Sequence, residues 1–221
     1  MTTTSIDAPF ETMRHAMVAS QLRTSGVNDP RVVEAMARVP REKFVPADQR
    51  ALAYRDTLIP VDAGRRLNSP LATGLLLTQA EIQPADKVLL IGAAGGYTAA
   101  LLALLAQQVV AVEEDAALAA LAREALAAEA KVKLIEGPLA QGSKADAPFD
   151  VLVVDGAVEE MPEALVAQLR PGGHVVTGVV ERGVTRLASG ARTEGGFGLA
   201  AFVDIECAVL PGFARPRTFQ F

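Results

Sequence analysis

Val88-Leu89-Leu90-Ile91-Gly92-Ala93-Ala94-Gly95-Gly96-Tyr97-Thr98-Ala99-Ala100 decides how the rest of this chain is read. Four apolar residues in a row fit a strand buried on both faces, the glycine-rich segment after them fits a tight turn, and the residues from Tyr97 on fit the first turns of a helix. A second apolar run, Val109-Val110-Ala111-Val112, follows that helix and closes on Glu113-Glu114-Asp115. Strand, turn, helix and acid-terminated strand form a nucleotide-binding unit. Glycines let the backbone approach a ligand at the helix N-terminus, and a carboxylate after the second strand accepts hydrogen bonds from ribose hydroxyls. Gly92, Ala93, Ala94, Gly95, Gly96, Tyr97, Glu113 and the adjacent Glu114 are therefore candidate ligand contacts. The same acids also suit a helix start for purely electrostatic reasons.

From Lys87 onward the pattern alternates. Strands are expected at 88–91, 109–112, 132–135, 151–154 and 174–179, with helices at 97–106 and 116–128, which implies a parallel sheet with right-handed crossovers. A helix is expected over 162–169, stopped by Pro171-Gly172-Gly173, and two antiparallel strands at 202–205 and 208–210. Ahead of this core, 11–23 reads as an amphipathic helix behind a frayed tail of about ten residues. Asp29-Pro30 caps and starts another helix ending before Pro40, Phe44-Val45-Pro46 reads as an extended anchor, 54–66 as loop and short strand, and 70–80 as helix. Residues 1–80 thus form a helical extension with a loop, and 81–221 an α/β core.

The chain has 221 residues, enough to bury a full core, and half of them are hydrophobic. A net charge of −5 argues against a basic nucleic-acid surface. Cys207 is the single cysteine, so no internal disulfide and no multi-cysteine metal site is expected; it reads as a core residue. The first residues lack a basic and an apolar region, and the apolar stretch at 99–106 is far shorter than the roughly 20 residues a bilayer needs. A cytoplasmic protein without membrane partners is expected. His15 and His174 lack partners in sequence and read as surface or packing residues.

The fingerprint G-x-G-x-x-G is absent. The turn is nearer the acidic-x-G-x-G-x-G pattern of S-adenosylmethionine-dependent methyltransferases, with Leu90 at the acidic position and Ala94 at the middle glycine. The front segment then narrows the comparison. Met17-Val18-Ala19-Ser20-Gln21-Leu22, Gly26-Val27-Asn28-Asp29-Pro30-Arg31-Val32-Val33, the unusual Val39-Pro40-Arg41-Glu42-Lys43-Phe44-Val45-Pro46 and Ala53-Tyr54-Arg55-Asp56 resemble protein-L-isoaspartate O-methyltransferases, as do Ala147-Pro148-Phe149-Asp150 and Gly172-Gly173 later on. The similarity runs from about residue 13 to about residue 212. It implies a Rossmann-like α/β methyltransferase sheet of seven strands, helices on both faces and an N-terminal helical extension. It also implies S-adenosylmethionine as cofactor, and damaged proteins or peptides with isoaspartyl residues as substrates. The implied reaction is an in-line methyl transfer from the sulfonium to an ionised carboxylate, which needs positioning and desolvation rather than a strong base.

The departures cluster where such a family does its chemistry. Its substrate loop G-Q-T-I-S-Q-P is here Gly64-Arg65-Arg66-Leu67-Asn68-Ser69-Pro70, so Asn68 stands at the serine and Ser69 at the glutamine. Asn68, Ser69 and Arg66 are the candidate catalytic residues. An amide can still bond a carboxylate, and Arg65 or Arg66 can add a guanidinium fork or remain a solvated loop charge. Gly137-Pro138-Leu139 replaces G-D-G, and Val154-Asp155-Gly156 replaces V-T-A. Asp155 either takes over a cofactor contact at the sheet edge or is a turn acid. A methyltransferase with another carboxylate or small-molecule substrate, and a binding module without the chemistry, are the competing expectations.

Overall fold

The computed structural model describes residues 8–62 and 64–215, so most of the expected tail lies outside the described residues. Helix α1 (Ala8–Met17) begins earlier than expected and continues as a π turn (Val18–Leu22) and a 3-10 turn (Arg23–Ser25) that Gly26 closes at φ 94°. Helix α2 (Pro30–Arg38) starts as the sequence dictates: the Asp29 side chain accepts from the Arg31 amide, and Pro30 occupies the first turn. Its Val32, Val33, Ala35 and Met36 are buried. The anchor after it differs from expectation. Arg41–Phe44 is a 3-10 turn, and only Val45 after it is extended, yet Phe44 and Val45 are both buried as anchors should be. Two short strands, β1 (Ile59–Pro60) and β2 (Arg66–Leu67), pair antiparallel and present the loop that leads to α3 (Pro70–Gln79).

The sheet contains β3 (Lys87–Ile91), β4 (Gln108–Glu113), β5 (Val132–Glu136), β6 (Phe149–Val158), β7 (Leu169–Glu181), β8 (Val184–Thr193) and β9 (Gly196–Asp204), in the order β5-β4-β3-β6-β7-β8-β9. The first five in that order pair parallel, and β8 and β9 add an antiparallel edge. Helices α4 (Tyr97–Leu105) and α5 (Ala116–Ala125) connect β3 to β4 and β4 to β5. Side chains alternate between two apolar layers, as strand geometry requires. Val88, Leu90, Val109, Ala111, Val151 and Val153 pack with the N-terminal helices, α4 and α5. Leu89, Ile91, Val110, Val112, Leu152 and Val154 pack under shorter pieces, among them Leu139, Leu165, Leu210 and Phe213. Leu90, at the position of the missing acid, is therefore a core residue, fully buried.

Three further expectations change. The helix over 162–169 shrinks to the single turn α6 (Glu163–Val166), because the Gln168 carbonyl already accepts from the Phe149 amide at the start of the β6–β7 pairing. Pro171-Gly172-Gly173 lies inside β7 rather than before it, at an irregularity in its register with β6. Residues 202–204 end β9, but 208–210 form no strand: Val209 makes an isolated parallel bridge to Ala157. Strand β8 has no apolar alternation that would reveal it; its Gly190 is needed because an added Cβ would stand 2.1 Å from the Gly198 carbonyl oxygen.

Candidate functional site

β3 connects onward to β4 on one side while β6 lies on the other, so the carboxyl ends of β3, β4 and β6 border a topological switch point, where ligands bind in open α/β sheets. The turn after β3 has the expected backbone: Gly92, Ala94 and Gly96 all take positive φ, at 80°, 46° and 96°. The Gly92 and Ala93 amides donate to the Val112 carbonyl and hold the turn against β4. Two glycines serve packing. A Cβ on Gly95 would stand 2.2 Å from the Phe44 carbonyl oxygen, and one on Gly96 would stand 2.9 Å from a Leu126 methyl. Gly92 faces the crevice, and a Cβ there would meet both δ-carbons of Leu210 at 3.1 Å and Nη2 of Arg65 at 3.6 Å. The space a ligand would take above Gly92 is filled by the chain itself.

Glu113 ends β4 with no exposed surface. Its Oε1 accepts from Arg65 Nη1 at 2.8 Å and from the Glu114 and Asp115 amides at 3.0 and 3.1 Å. Its Oε2 accepts from Arg65 Nη2 at 3.3 Å and from the Ala94 amide at 2.7 Å. Both oxygens are thus fully engaged, in a fork that closes the crevice from the 64–69 loop. Arg65 Nε is buried without a partner.

Beside this pair lies a second buried network. Asn68 Nδ2 donates to Asp155 Oδ1 at 2.8 Å, Thr98 Oγ1 donates to Asp155 Oδ2 at 2.5 Å, and Asn68 Oδ1 accepts from the Ala208 amide at 2.8 Å. Arg41, fully buried, donates from Nε to the Ala53 carbonyl and from Nη2 to the Asn68 carbonyl, with its guanidinium 4.5 Å from the centre of the Tyr97 ring. Asp155 reaches this network because β6 bulges there: Val153 pairs with Val176 and Ala157 with Gly178, so four residues of advance on β6 match two on β7. Burial pushes the Asp155 carboxyl above its ordinary range, against the lowering effects of Thr98, Asn68 and the charges of Arg41 and Arg65. Burial also lowers Arg41, raises the Tyr97 phenol to about 12, and, with the Asp155 charge, raises the Cys207 thiol to about 12.

Of the residues singled out in sequence, Gly92, Ala94, Glu113, Asn68 and Asp155 come together in one buried region. Ala93 is buried in the core, and Tyr97 stacks on Arg41. Ser69 caps α3, its hydroxyl accepting from the Ala72 amide at 3.2 Å. Arg66 lines a cavity of about 630 Å³ outside the network, with Thr185, Asp204, Glu206 and Cys207. Glu114 lines another of about 620 Å³, with Arg65, Asp115, Glu136 and Pro138. The sequence offers Arg65 as a guanidinium fork for a carboxylate or as a solvated loop charge; the structure buries it on Glu113, and nothing in the sequence points to Arg41, Thr98, Ala208 or Leu210 as site residues. Arg41 lay in plain view within the V-P-R-E-K-F-V-P run; Leu210 carried no signal.

The family model described as protein-L-isoaspartate (D-aspartate) O-methyltransferase matches residues 13–198. The chain belongs to that family. It is 43% identical over 169 residues to a protein-L-isoaspartate O-methyltransferase of Koribacter versatilis, covering 76% of each chain. It is 38% identical over 189 residues to one from Methanoculleus marisnigri, covering 85% of this chain and 86% of that one. A solved structure of a putative protein-L-isoaspartate O-methyltransferase from Plasmodium falciparum, in complex with S-adenosyl-L-homocysteine, superposes with TM-score 0.76 over 91% of this chain and 97% of that one, at 19% identity. A second solved protein-L-isoaspartate O-methyltransferase gives TM-score 0.76 at 20% identity, over 91% of this chain and 66% of that chain. The seven-stranded sheet is that of this methyltransferase family. The family uses S-adenosylmethionine as its cofactor; in this structure Arg65 and the Ala94 amide bond the Glu113 carboxylate and Leu210 stands against Gly92.

Proposed function

We propose that the protein is an S-adenosylmethionine-dependent O-methyltransferase acting on the carboxylate of isoaspartyl residues in damaged proteins and peptides, in the cytoplasm and without a nucleic-acid partner. The observation that carries this reading is the family match across residues 13–198, which includes the helical extension as well as the sheet. In this reading Gly92, Ala94 and Glu113 belong to the cofactor side, with Asp155 next to them, and Asn68 and Arg66 belong to the substrate side. Ser69 contributes through the cap that fixes α3. The test is methyl transfer from labelled S-adenosylmethionine to an isoaspartyl peptide, against the same peptide with ordinary aspartate. Selective labelling is the expected result; equal or absent labelling of the two peptides, with the protein folded, would sink the reading.

A second reading, a homologue that keeps the fold without the chemistry, is favoured by one specific observation: Asn68 bonds Asp155 and Ala208, and Glu113 bonds Arg65, rather than facing open space. The same peptide assay separates the two.

A further inference from the structure

Resting on the methyltransferase reading, we propose that the chain carries its own lock on the nucleoside site. Arg65 holds on Glu113 the acceptor positions a ribose diol would use, Leu210 fills the space above Gly92, and the two withdraw together before the cofactor binds.

Three features make these residues one device. The first is linkage: Asn68, three residues after Arg65, accepts from the amide of Ala208, two residues before Leu210. A single side chain therefore ties the 64–69 loop to the 205–213 segment across the crevice. The second is hinging. The C-terminal segment is buried at Leu210 and Phe213, and is held to β6 by the Ala157 amide donating to the Ala208 carbonyl at 2.7 Å and the Leu210 amide donating to the Ala157 carbonyl at 2.9 Å, and beyond it by the Glu160 amide donating to the Phe213 carbonyl. Gly64, immediately before Arg65, and Gly212, two residues after Leu210, take φ of 77° and 81°, and a Cβ at either would meet nothing within 4 Å. Both lock residues thus adjoin uncrowded positions that can absorb a backbone rotation.

The third is the balance of the closed state. Bringing Arg65 and Glu113 out of water offsets much of their attraction, and Arg65 Nε gains no partner in return. When Arg65 leaves, Glu113 keeps three backbone donors, from Ala94, Glu114 and Asp115, so the carboxylate stays in place and presents acceptor capacity outward. A structural ion pair would leave a bare charge when broken; this one leaves a prepared acceptor. The lock also explains why the chain keeps the turn geometry and Glu113 while Arg65 and Leu210 occupy the positions beside them.

The test is S-adenosylhomocysteine binding to the full-length chain by isothermal titration calorimetry, for the wild type, Arg65→Met and Leu210→Ala. Each substitution removes one half of the lock, and each is expected to tighten binding at least tenfold. Hydrogen exchange on the wild type gives a readout that needs no variant: saturating S-adenosylhomocysteine is expected to speed exchange at the Ala208 and Leu210 amides. Equal affinity in all three proteins, weaker binding in Arg65→Met, no binding by any of them, or unchanged exchange at both amides would overturn the lock. Isoaspartyl methylation measured in parallel keeps the two proposals apart. Methylation by the wild type with affinities equal across the variants refutes the lock and leaves the function standing. Tighter binding without methylation by any variant does the reverse.

Discussion

Two buried arginines face the same crevice from neighbouring loops, and they are held in opposite ways. Arg41 donates to the carbonyls of Ala53 and Asn68 and stacks on Tyr97. Its partners are backbone and ring, all on elements packed into one core, so its position is part of the fold. Arg65 reaches across a gap to a carboxylate at the end of β4, while its own backbone bonds are local: its amide donates to the Asp62 carbonyl and its carbonyl accepts from the Val61 amide. Burial alone does not distinguish a pin from a latch, since Arg41 is fully buried and Arg65 is only 7% exposed. What distinguishes them is whether the partner keeps other donors when the cation leaves.

The largest effect should therefore come from Arg41→Met. It strips two carbonyls of their donor inside the core and loosens the loop that carries Asn68. A loss of about 3–5 kcal/mol in unfolding free energy is expected from chemical denaturation, in the range seen when a buried charged network is broken. Gly95→Ala comes next. Its Cβ would overlap the Phe44 carbonyl, a backbone atom that cannot rotate aside, and the strain should cost about 1–3 kcal/mol. Arg65→Met should cost less than about 2 kcal/mol, because three amides still satisfy Glu113. Should Arg65→Met prove as damaging as Arg41→Met in the same titration, the distinction between pin and latch collapses.

The same contrast explains what the sequence made legible. The β3 turn, β4 with its terminal acid, the Asp29-Pro30 helix start and the family itself could be read directly, because each depends on residues close together in the chain or on a long run such as V-P-R-E-K-F-V-P. β8 could not, since its residues 184–193 lie half-buried between β7 and the edge strand β9 and carry no clean alternation. Asn68, Glu113 and Asp155 were picked out individually, but their partners were not. Asn68 meets Ala208 across 140 positions, and Arg65 meets Glu113 across 48. Contacts of that range depend on tertiary placement, which local pattern does not encode. The bulge that aims Asp155 inward is likewise a property of how β6 pairs with β7.

The finest probe of the comparison is Asp155, which sits between the two arginines and feels both. It is faced by Thr98 from α4, by Asn68 and Arg65 from the substrate loop, by Arg41 from the preceding loop, by the Tyr97 phenol, and by Cys207 from the C-terminal segment. Burial raises its carboxyl above the ordinary value of 3.8. Below that value folded and unfolded chains both hold the proton, and the contribution of Asp155 to stability is complete. As pH rises, the unfolded chain releases the proton first. The contribution then falls until the folded pKa is passed, and stays flat beyond it. Asp155→Asn keeps an acceptor for Asn68 and offers an amide to Thr98, but cannot titrate. Near pH 4 the variant and the wild type should differ by about 1 kcal/mol or less. With rising pH the variant should gain on the wild type, up to a plateau. Subtracting the two stability curves cancels the acids whose pKa values are lowered, Asp29, Asp146 and Asp150, which act in the opposite direction. A difference curve that stays level from pH 4 to pH 8 would mean that Arg41 and Arg65 compensate the Asp155 charge fully. Arg65 would then be as much a part of the folded core as Arg41.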